Sequence, residues 1–131
     1  MTTFLELAIK QAHQSECHFR VGAVLAKGRR ILAHAHNQYR NSPKIDFLNA
    51  TFHAEEMLLR RTRNPKGSVV YVARINPKGK PLLARPCIRC QKALAADGVI
   101  IAHYTTPSGP GALRLNLHET SRSDIPLAAR R

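Results

Sequence analysis

One histidine and two cysteines at a defined spacing constrain this chain more than any other feature. His53 is followed two positions later by Glu55, and Cys87 and Cys90 form a C-x-x-C pair directly after Pro86. An imidazole and two thiolates supply three zinc ligands, and a catalytic zinc site keeps its fourth position for water, whereas a structural site closes with four protein ligands. A carboxylate two residues beyond the histidine can handle the protons of that water. The pattern therefore predicts a catalytic zinc site.

Both ligand-bearing segments have the sequence of a helix start. The range Phe52–Arg60 has apolar residues at helical spacing and contains neither Gly nor Pro, so it predicts a helix with His53 in its first turn. Pro86 suits the first position of a second helix, in which Cys87 and Cys90, three residues apart, share one face. Two helix N-termini would therefore meet around one metal. Their partial positive charge helps to hold both cysteines as thiolates, the form that binds metal.

The C-x-x-C pair on its own has other interpretations. It could be a redox pair or half of a structural zinc site. A closed structural site would need a fourth ligand from Cys17, His18 or His103, and the spacing favours none of them. Cys17 is otherwise predicted to be a small, partly buried residue, with a second metal site shared with His18 as the alternative.

Length and composition predict a single intracellular domain over residues 1–131. No apolar run approaches the length of a membrane span, and residues 1–10 lack a signal-peptide pattern. With two of the three cysteines assigned to metal, Cys17 stays unpaired, which suits a reducing compartment. We therefore expect a cytoplasmic protein with no membrane partner. The sequence leaves the formation of a homo-oligomer open.

The charge is unusually one-sided. The chain has 21 Lys and Arg against eight Asp and Glu, a net charge of +13, and residues 17–45 and 57–96 contain no acid. Because His53 lies between these stretches and Cys87 and Cys90 lie within the second, the basic stretches favour a polyanionic partner, of which nucleic acid is the commonest. The alternative is a protein that is generally basic, with positive charge that is unrelated to the proposed site. The basic side chains predicted to contact nucleic acid are Arg40, Lys44, Arg60, Arg61, Arg63, Lys78, Lys80, Arg85 and Arg89.

The rest of the chain is predicted to form alternating helices and strands. The predicted elements are a helix Thr3–Ala12, a hairpin of strands Val21–Ala26 and Ile31–His36, strands Ser68–Ile75 and Val99–Tyr104, and the Cys87 helix, which ends at Asp97-Gly98.

The connecting segments are predicted from turn residues. Asn37–Ala50 and Asn76–Arg85 are expected to be loops. Residues 106–131 are predicted to contain a turn-rich break, an edge strand at Leu113–Leu117, and a short helix or mobile basic tail at Ser121–Arg131.

This order of elements, with its H-x-E and P-C-x-x-C motifs, resembles the cytidine and deoxycytidylate deaminase superfamily over about residues 3–105. Val21-Gly22-Ala23-Val24 is similar to the family's hairpin strand, and Ala35-His36-Asn37 falls where many members have Gly-Tyr-Asn. His53-Ala54-Glu55 is the form seen in deoxycytidylate and tRNA adenosine deaminases. The resemblance implies an α/β, cytidine-deaminase-like three-layer fold: a mixed sheet of about five strands with helices on both faces.

The resemblance also implies roles for individual residues. His53, Cys87 and Cys90 would bind one zinc ion per chain, and Glu55 would transfer protons between water and the base. The expected substrate contacts are Asn37 at the base or sugar, Val24 in the pocket wall, and Ala54 and Pro86, with backbone N–H groups of Ala54 and Cys87 positioning water and substrate. His36, Phe52 and Tyr104 could stack on a base or pack in the core.

Several functions are compatible with these features. The first is a deaminase converting cytosine to uracil in nucleic acid, preferably single-stranded DNA or RNA, because a base must leave any stack to reach a zinc pocket. The second is a deoxycytidylate deaminase. Its small substrate has one phosphate and needs only a few basic residues, so most of the net charge of +13 would have no role. A tRNA adenosine deaminase is a variant of the first. A nucleic-acid-binding zinc module without catalysis is the third, and the presence of Glu55 argues against it.

Overall fold

The computed structural model describes residues 3–16, 20–36, 58–59, 62–86 and 88–115. Leu58 and Leu59 are helical. The elements with defined bounds are α1 (Phe4–His13), β1 (Arg20–Lys27), β2 (Arg30–His36), β3 (Val69–Ile75), β4 (Pro81–Leu82), α2 (Ile88–Ala96), β5 (Ile101–Tyr104) and β6 (Gly111–Arg114).

The first helix begins where its capping residue predicts. The Thr3 hydroxyl accepts from the Glu6 backbone N–H at 3.1 Å, and the Glu6 carboxylate accepts from the Thr3 backbone N–H at 2.9 Å. This reciprocal pair satisfies two N–H groups that the helix itself leaves without partners. The hydrogen bonds from Thr3 also lower the pKa of Glu6, because they favour its charged form. The predicted helix Thr3–Ala12 is confirmed.

The strands form one mixed sheet in the order β2-β1-β3-β5-β6, with β4 paired to the end of β3. β3 and β5 run parallel, while the other neighbouring strands are antiparallel. The β1–β2 pair contains an irregularity between Leu25 and Ala26, where the register with β2 shifts. The predicted hairpin and the predicted mixed sheet are both confirmed.

The two faces of the sheet are covered by different segments. On one face α1 packs through Ala8 against Val24 and Ala73. On the other face Leu58 and Leu94 are buried in a larger cluster. Because successive side chains of a strand point to opposite faces, the two clusters divide β1 and β3 between them. Helical segments therefore lie on both faces, which confirms the predicted three-layer α/β fold.

The second helix ends in a Schellman motif. The Gly98 N–H donates to the Ala95 carbonyl at 3.0 Å, and the Val99 N–H donates to the Leu94 carbonyl at 3.0 Å. Gly98 has a φ of 91°, which only glycine adopts at little cost, and Leu94 and Val99 are buried together. The predicted end of this helix at Asp97-Gly98 is confirmed.

Two predicted segments need correction. The loop predicted over Asn76–Arg85 contains β4, because the Asn76 side chain accepts from the Lys78 and Lys80 N–H groups and turns the chain back onto β3. The edge strand predicted at Leu113–Leu117 begins earlier. A turn at Thr106–Gly109 leads into β6, which pairs with β5 at Gly111–Arg114, two residues earlier than the predicted edge strand begins.

The remaining predictions for connecting segments, at Asn37–Ala50 and Ser121–Arg131, lie outside the described residues. Among the helices that are described, none has the length and apolar character needed to cross a membrane.

Candidate metal centre

Cys90 is the member of the predicted ligand set that the structure describes. It lies in the first turn of α2 and is 3% exposed, and it forms no disulfide within the described part of the chain. A thiol at a helix N-terminus is next to the positive end of the helix dipole, which stabilises a thiolate. A buried thiolate is a ligand that zinc prefers. The position of Cys90 therefore fits the proposed metal.

Two hydrogen bonds hold the segment that precedes Cys90, one from α2 and one to the residue after β5. The Gln91 side-chain amide donates to the carbonyl of buried Pro86 at 2.8 Å. The Ala84 N–H donates to the Thr105 carbonyl at 2.9 Å, just after β5. These bonds fix the start of α2 to the sheet, so the cysteine segment has a defined position.

Thr105 joins this segment to the sheet, and the sequence does not predict this role. Its hydroxyl donates to the Leu82 carbonyl at 2.7 Å and accepts from the Arg74 N–H at 3.1 Å. The side chain is 3% exposed, and the Thr105 N–H donates to the Val72 carbonyl at 3.1 Å. No local pattern marks such a threonine, because its partners lie in two other strands.

The other predicted catalytic residues, His53, Glu55 and Cys87, lie outside the described residues. Leu58 and Leu59 are helical, which agrees with the helix predicted over Phe52–Arg60. The Thr62 hydroxyl donates to the Leu58 carbonyl at 2.9 Å, at the C-terminal end of this helical segment. Leu58 shares its buried cluster with Leu94 of α2. Both segments predicted to carry ligands therefore have residues on the same face of the sheet.

His103, a candidate for a closing fourth ligand, lies on the other face. Its ring stacks on Tyr71 with centroids 5.0 Å apart, and Tyr71 in turn contacts Phe4 of α1. Burial raises the pKa of the Tyr71 hydroxyl. Since Cys90 belongs to the helix on the opposite face, His103 does not complete a site with it. The other candidates, Cys17 and His18, lie outside the described residues.

Two residues expected near the substrate belong to the core. Val24, predicted to line the pocket wall, is 1% exposed and packs with Ala8 under α1, on the face away from α2. The alternation of β1 turns Val24 towards α1 and turns Val21 towards the α2 face, so Val24 lies on the side of the sheet away from Cys90. Tyr104 is also core: it is 9% exposed and its ring packs over Gly111.

The remaining predicted substrate contacts are only partly described. Pro86 is buried immediately before the cysteine segment, and His36 is half-buried at the end of β2. Asn37, Phe52 and Ala54 lie outside the described residues.

The basic residues predicted to contact nucleic acid fall into two groups. Lys78, Lys80 and Arg85 are exposed, in the turn after β3 and in the segment leading to Pro86. Arg63 is exposed at the opposite end of the sheet, close to the start of β3. Arg89 lies in α2, and Arg40, Lys44, Arg60 and Arg61 lie outside the described residues.

Comparison with solved structures shows the same fold in two enzymes. The dCMP deaminase from the cyanophage S-TIM5, in its apo form, superposes with a TM-score of 0.55 at 23% identity, covering 77% of this chain and 78% of that one. The cytidine deaminase from Burkholderia pseudomallei superposes with a TM-score of 0.61 at 17% identity, covering 88% of this chain and 94% of that one.

Sequence comparison identifies the family. No curated protein sequence matches the chain. Residues 1–103 match the family described as the cytidine and deoxycytidylate deaminase zinc-binding region. This match covers both predicted zinc motifs and every described element up to β5. The chain therefore belongs to the cytidine and deoxycytidylate deaminase family of zinc-dependent hydrolytic deaminases.

Proposed function

We propose that this deaminase converts cytosine to uracil in single-stranded nucleic acid, with DNA as the favoured substrate. The reaction replaces the exocyclic amine of the base by an oxygen from water and releases ammonia. Family membership supports the hydrolytic chemistry. The observation that carries the choice of substrate is the excess of positive charge on both sides of the cysteine segment.

The residues assigned to the chemistry are those of the two motifs. His53, Cys87 and Cys90 would hold one zinc ion per chain, and the buried position of Cys90 in the first turn of α2 suits a thiolate ligand. When bound, zinc would lower the pKa of a water molecule to about 7 and so supply a nucleophile at neutral pH. Glu55 would take a proton from the water and deliver it to the ring nitrogen of the base, and it would then help ammonia to leave. Asn37 would contact the base or the sugar.

The charge of the described surface supports a polymeric substrate. Lys78 and Lys80 are exposed in the turn after β3, and Arg85 is exposed next to Pro86. The described acids, Glu6, Glu16 and Asp97, lie in or just after α1 and at the end of α2. A surface of one sign near a reaction site raises the local concentration of an oppositely charged substrate. The phosphates of a polynucleotide can contact several of these basic side chains, whereas the single phosphate of a mononucleotide needs only a few of them.

Deamination of a free nucleotide is the second candidate. The two enzymes with similar structures are a dCMP deaminase and a cytidine deaminase, so small substrates are known for this fold. Under this alternative the net charge of +13 has no role in catalysis.

A deamination assay with matched substrates tests the proposal. Purified protein would be incubated with a single-stranded oligodeoxynucleotide that carries one cytosine, the same strand in a duplex, the corresponding RNA, a tRNA, dCMP and cytidine. Uracil, inosine and ammonia would be measured, with Glu55→Ala as the inactive control. We expect the single-stranded DNA to be deaminated fastest and the duplex slowly, because a paired base must first leave the stack. Faster turnover of dCMP than of any polymer contradicts the proposal, and inosine in tRNA shows an adenosine deaminase instead.

A further inference from the structure

A basic pocket lies at the end of the sheet where β1 turns into β2. Its volume is about 300 Å³, and it is lined by Lys27, Arg30, Leu32, Thr62, Arg63 and Asn64. Lys27 ends β1 and Arg30 begins β2, while Thr62, Arg63 and Asn64 follow the helical residues Leu58 and Leu59. Leu32 packs against the buried cluster under α2, so the pocket opens on the α2 side of the sheet.

The described lining of the pocket concentrates positive charge. Three of these lining side chains are cationic, and none of the described residues that line the pocket is acidic. Lys27 and Arg30 are direct cross-strand partners in the β1–β2 hairpin. Like charges in directly opposite positions of an antiparallel pair destabilise the pair. A concave surface of one sign also focuses the electrostatic field on the space it encloses. Both effects favour binding of an anion.

The local backbone keeps these side chains together. Gly28 has a φ of 63°, as the tight turn between Lys27 and Arg30 requires. On the other side of the pocket, the Thr62 N–H donates to the Leu59 carbonyl at 3.3 Å and its hydroxyl donates to the Leu58 carbonyl, which ends the helical segment there. Two arginines can each present a planar fork of N–H donors, a geometry that matches the oxygens of a phosphate.

The pocket and the start of α2, where Cys90 lies, are at opposite ends of the sheet. β1 pairs with the start of β3 at Ala26 and Val69, next to the pocket, whereas β4 pairs with the end of β3 at Leu82 and Arg74, on the way to Cys90. β3 has seven residues, and at about 3.3 Å per residue it spans roughly 20 Å. A mononucleotide at the metal centre cannot reach the pocket, but a chain of several nucleotides can.

We infer that the pocket formed by Lys27, Arg30 and Arg63 is a phosphate-binding site separate from the metal centre. The shared chemistry is a phosphate oxyanion, which could belong to the backbone of a polynucleotide or to a small phosphorylated ligand. The assignment of this phosphate to a polynucleotide rests on the proposed function. The existence of a phosphate site does not depend on it.

Binding measurements with two charge-matched variants test the inference. The pocket variant would carry Lys27→Gln, Arg30→Gln and Arg63→Gln, and the control variant would carry Lys10→Gln, Arg29→Gln and Arg114→Gln, three exposed basic residues that do not line the pocket. The probes would be oligothymidylate, which contains no cytosine, thymidine monophosphate and inorganic phosphate. Thermal unfolding would check that each variant is folded, and the single variants Arg30→Gln and Arg63→Gln would replace the triple variant if it is not.

We expect the pocket variant to bind at least one phosphate probe about tenfold or more weakly than the control variant. The reason is that the pocket variant lacks the charged side chains that would donate hydrogen bonds to the phosphate. If the phosphate comes from a polynucleotide, the affected probe is oligothymidylate, and the slope of log affinity against log salt flattens by about 0.7 for the phosphate lost. If it comes from a small ligand, thymidine monophosphate or inorganic phosphate is affected instead. Equal affinities of the two variants for all three probes would overturn the inference. If the pocket variant loses phosphate binding but the wild type deaminates no cytosine, the phosphate site is supported and the proposed function is refuted.

Discussion

At Gly22 the backbone of α1 lies in close contact with the sheet. A Cβ built at this position would overlap the backbone N of Ala12 and the carbonyl O of Ala8, and it would lie 2.8 Å from the carbonyl C of Gln11. Ala8 and Ala12 are both fully buried, so small residues on both sides allow the close contact. Neither backbone can move away without separating α1 from β1, because α1 packs along this strand.

Substituting Gly22 by alanine should therefore destabilise the protein by about 1–3 kcal/mol or more, the range for overpacking a core. The measurement is the free energy of unfolding in urea. Gly28→Asn is the matched control, because a Cβ at Gly28 meets nothing within 4 Å and Asn tolerates a φ of 63°. A Gly22→Ala variant as stable as Gly28→Asn would show that α1 does not pack as closely as described.

Glu55 and Cys90 should have separable effects. Glu55→Ala is expected to lower turnover by about 10²- to 10⁴-fold, the usual contribution of an acid–base group, while one zinc per chain is retained. Cys90→Ser should lower both zinc content and turnover, because a thiolate ligand is lost. Zinc analysis and deamination rates of the two variants check this. Full activity of Glu55→Ala would assign proton transfer to another residue.

At the scale of secondary-structure elements, the arrangement of β4 and α2 depends on Thr105. Its hydroxyl contacts backbone groups of Leu82 and Arg74, and its own carbonyl accepts from Ala84. Thr105 thus connects β3, β4 and the segment at Ala84 that leads into the cysteine motif. The contribution of Thr105 to the metal centre is positional, since it acts through the segment that carries the ligands.

Replacing Thr105 by valine should leave the Arg74 N–H and the Leu82 carbonyl, both part-buried, without this partner and cost about 1–3 kcal/mol. Because this segment precedes Cys90, we also expect the variant to lose zinc faster to a chelator at a temperature where it is still folded. Thr105→Ser keeps the hydroxyl and should restore zinc retention, even where stability is lower. If valine and serine variants release zinc at the same rate, Thr105 stabilises the fold without positioning the metal segment.

At the scale of the whole molecule, the dominant property is the net charge of +13. If it serves a polynucleotide, affinity should fall linearly with salt on logarithmic axes, with a slope of about −0.7 for each phosphate contacted on a single strand. Combined replacement of Arg60, Arg61 and Arg63 by Gln should weaken binding to all sequences alike and reduce this slope. Fluorescence anisotropy with oligonucleotides of different sequence, at two salt concentrations, measures both. Absence of binding at low salt would leave the charge without a role and favour a mononucleotide substrate.

Local sequence was sufficient to predict the elements that depend on neighbouring residues. Thr3 predicted the start of α1, Asp97-Gly98 predicted the end of α2, and the turn at Gly28 predicted the β1–β2 hairpin. The two zinc motifs carry the resemblance to the deaminase family, and the family match covers both of them. Caps, turns and closely spaced ligands are short-range signals, which is why the sequence alone was sufficient for them.

Long-range strand pairing sets which residues face which side of the sheet. Val24 lies under α1 and His103 stacks on Tyr71, and the local sequence predicted neither position, because the face of a strand residue depends on pairing with distant strands and not on its neighbours in sequence. Thr105 and the pocket around Arg63 were not recognisable for the same reason: their partners come from segments that are distant in the chain. Chain folding brings these groups together through long-range packing, which no local pattern encodes.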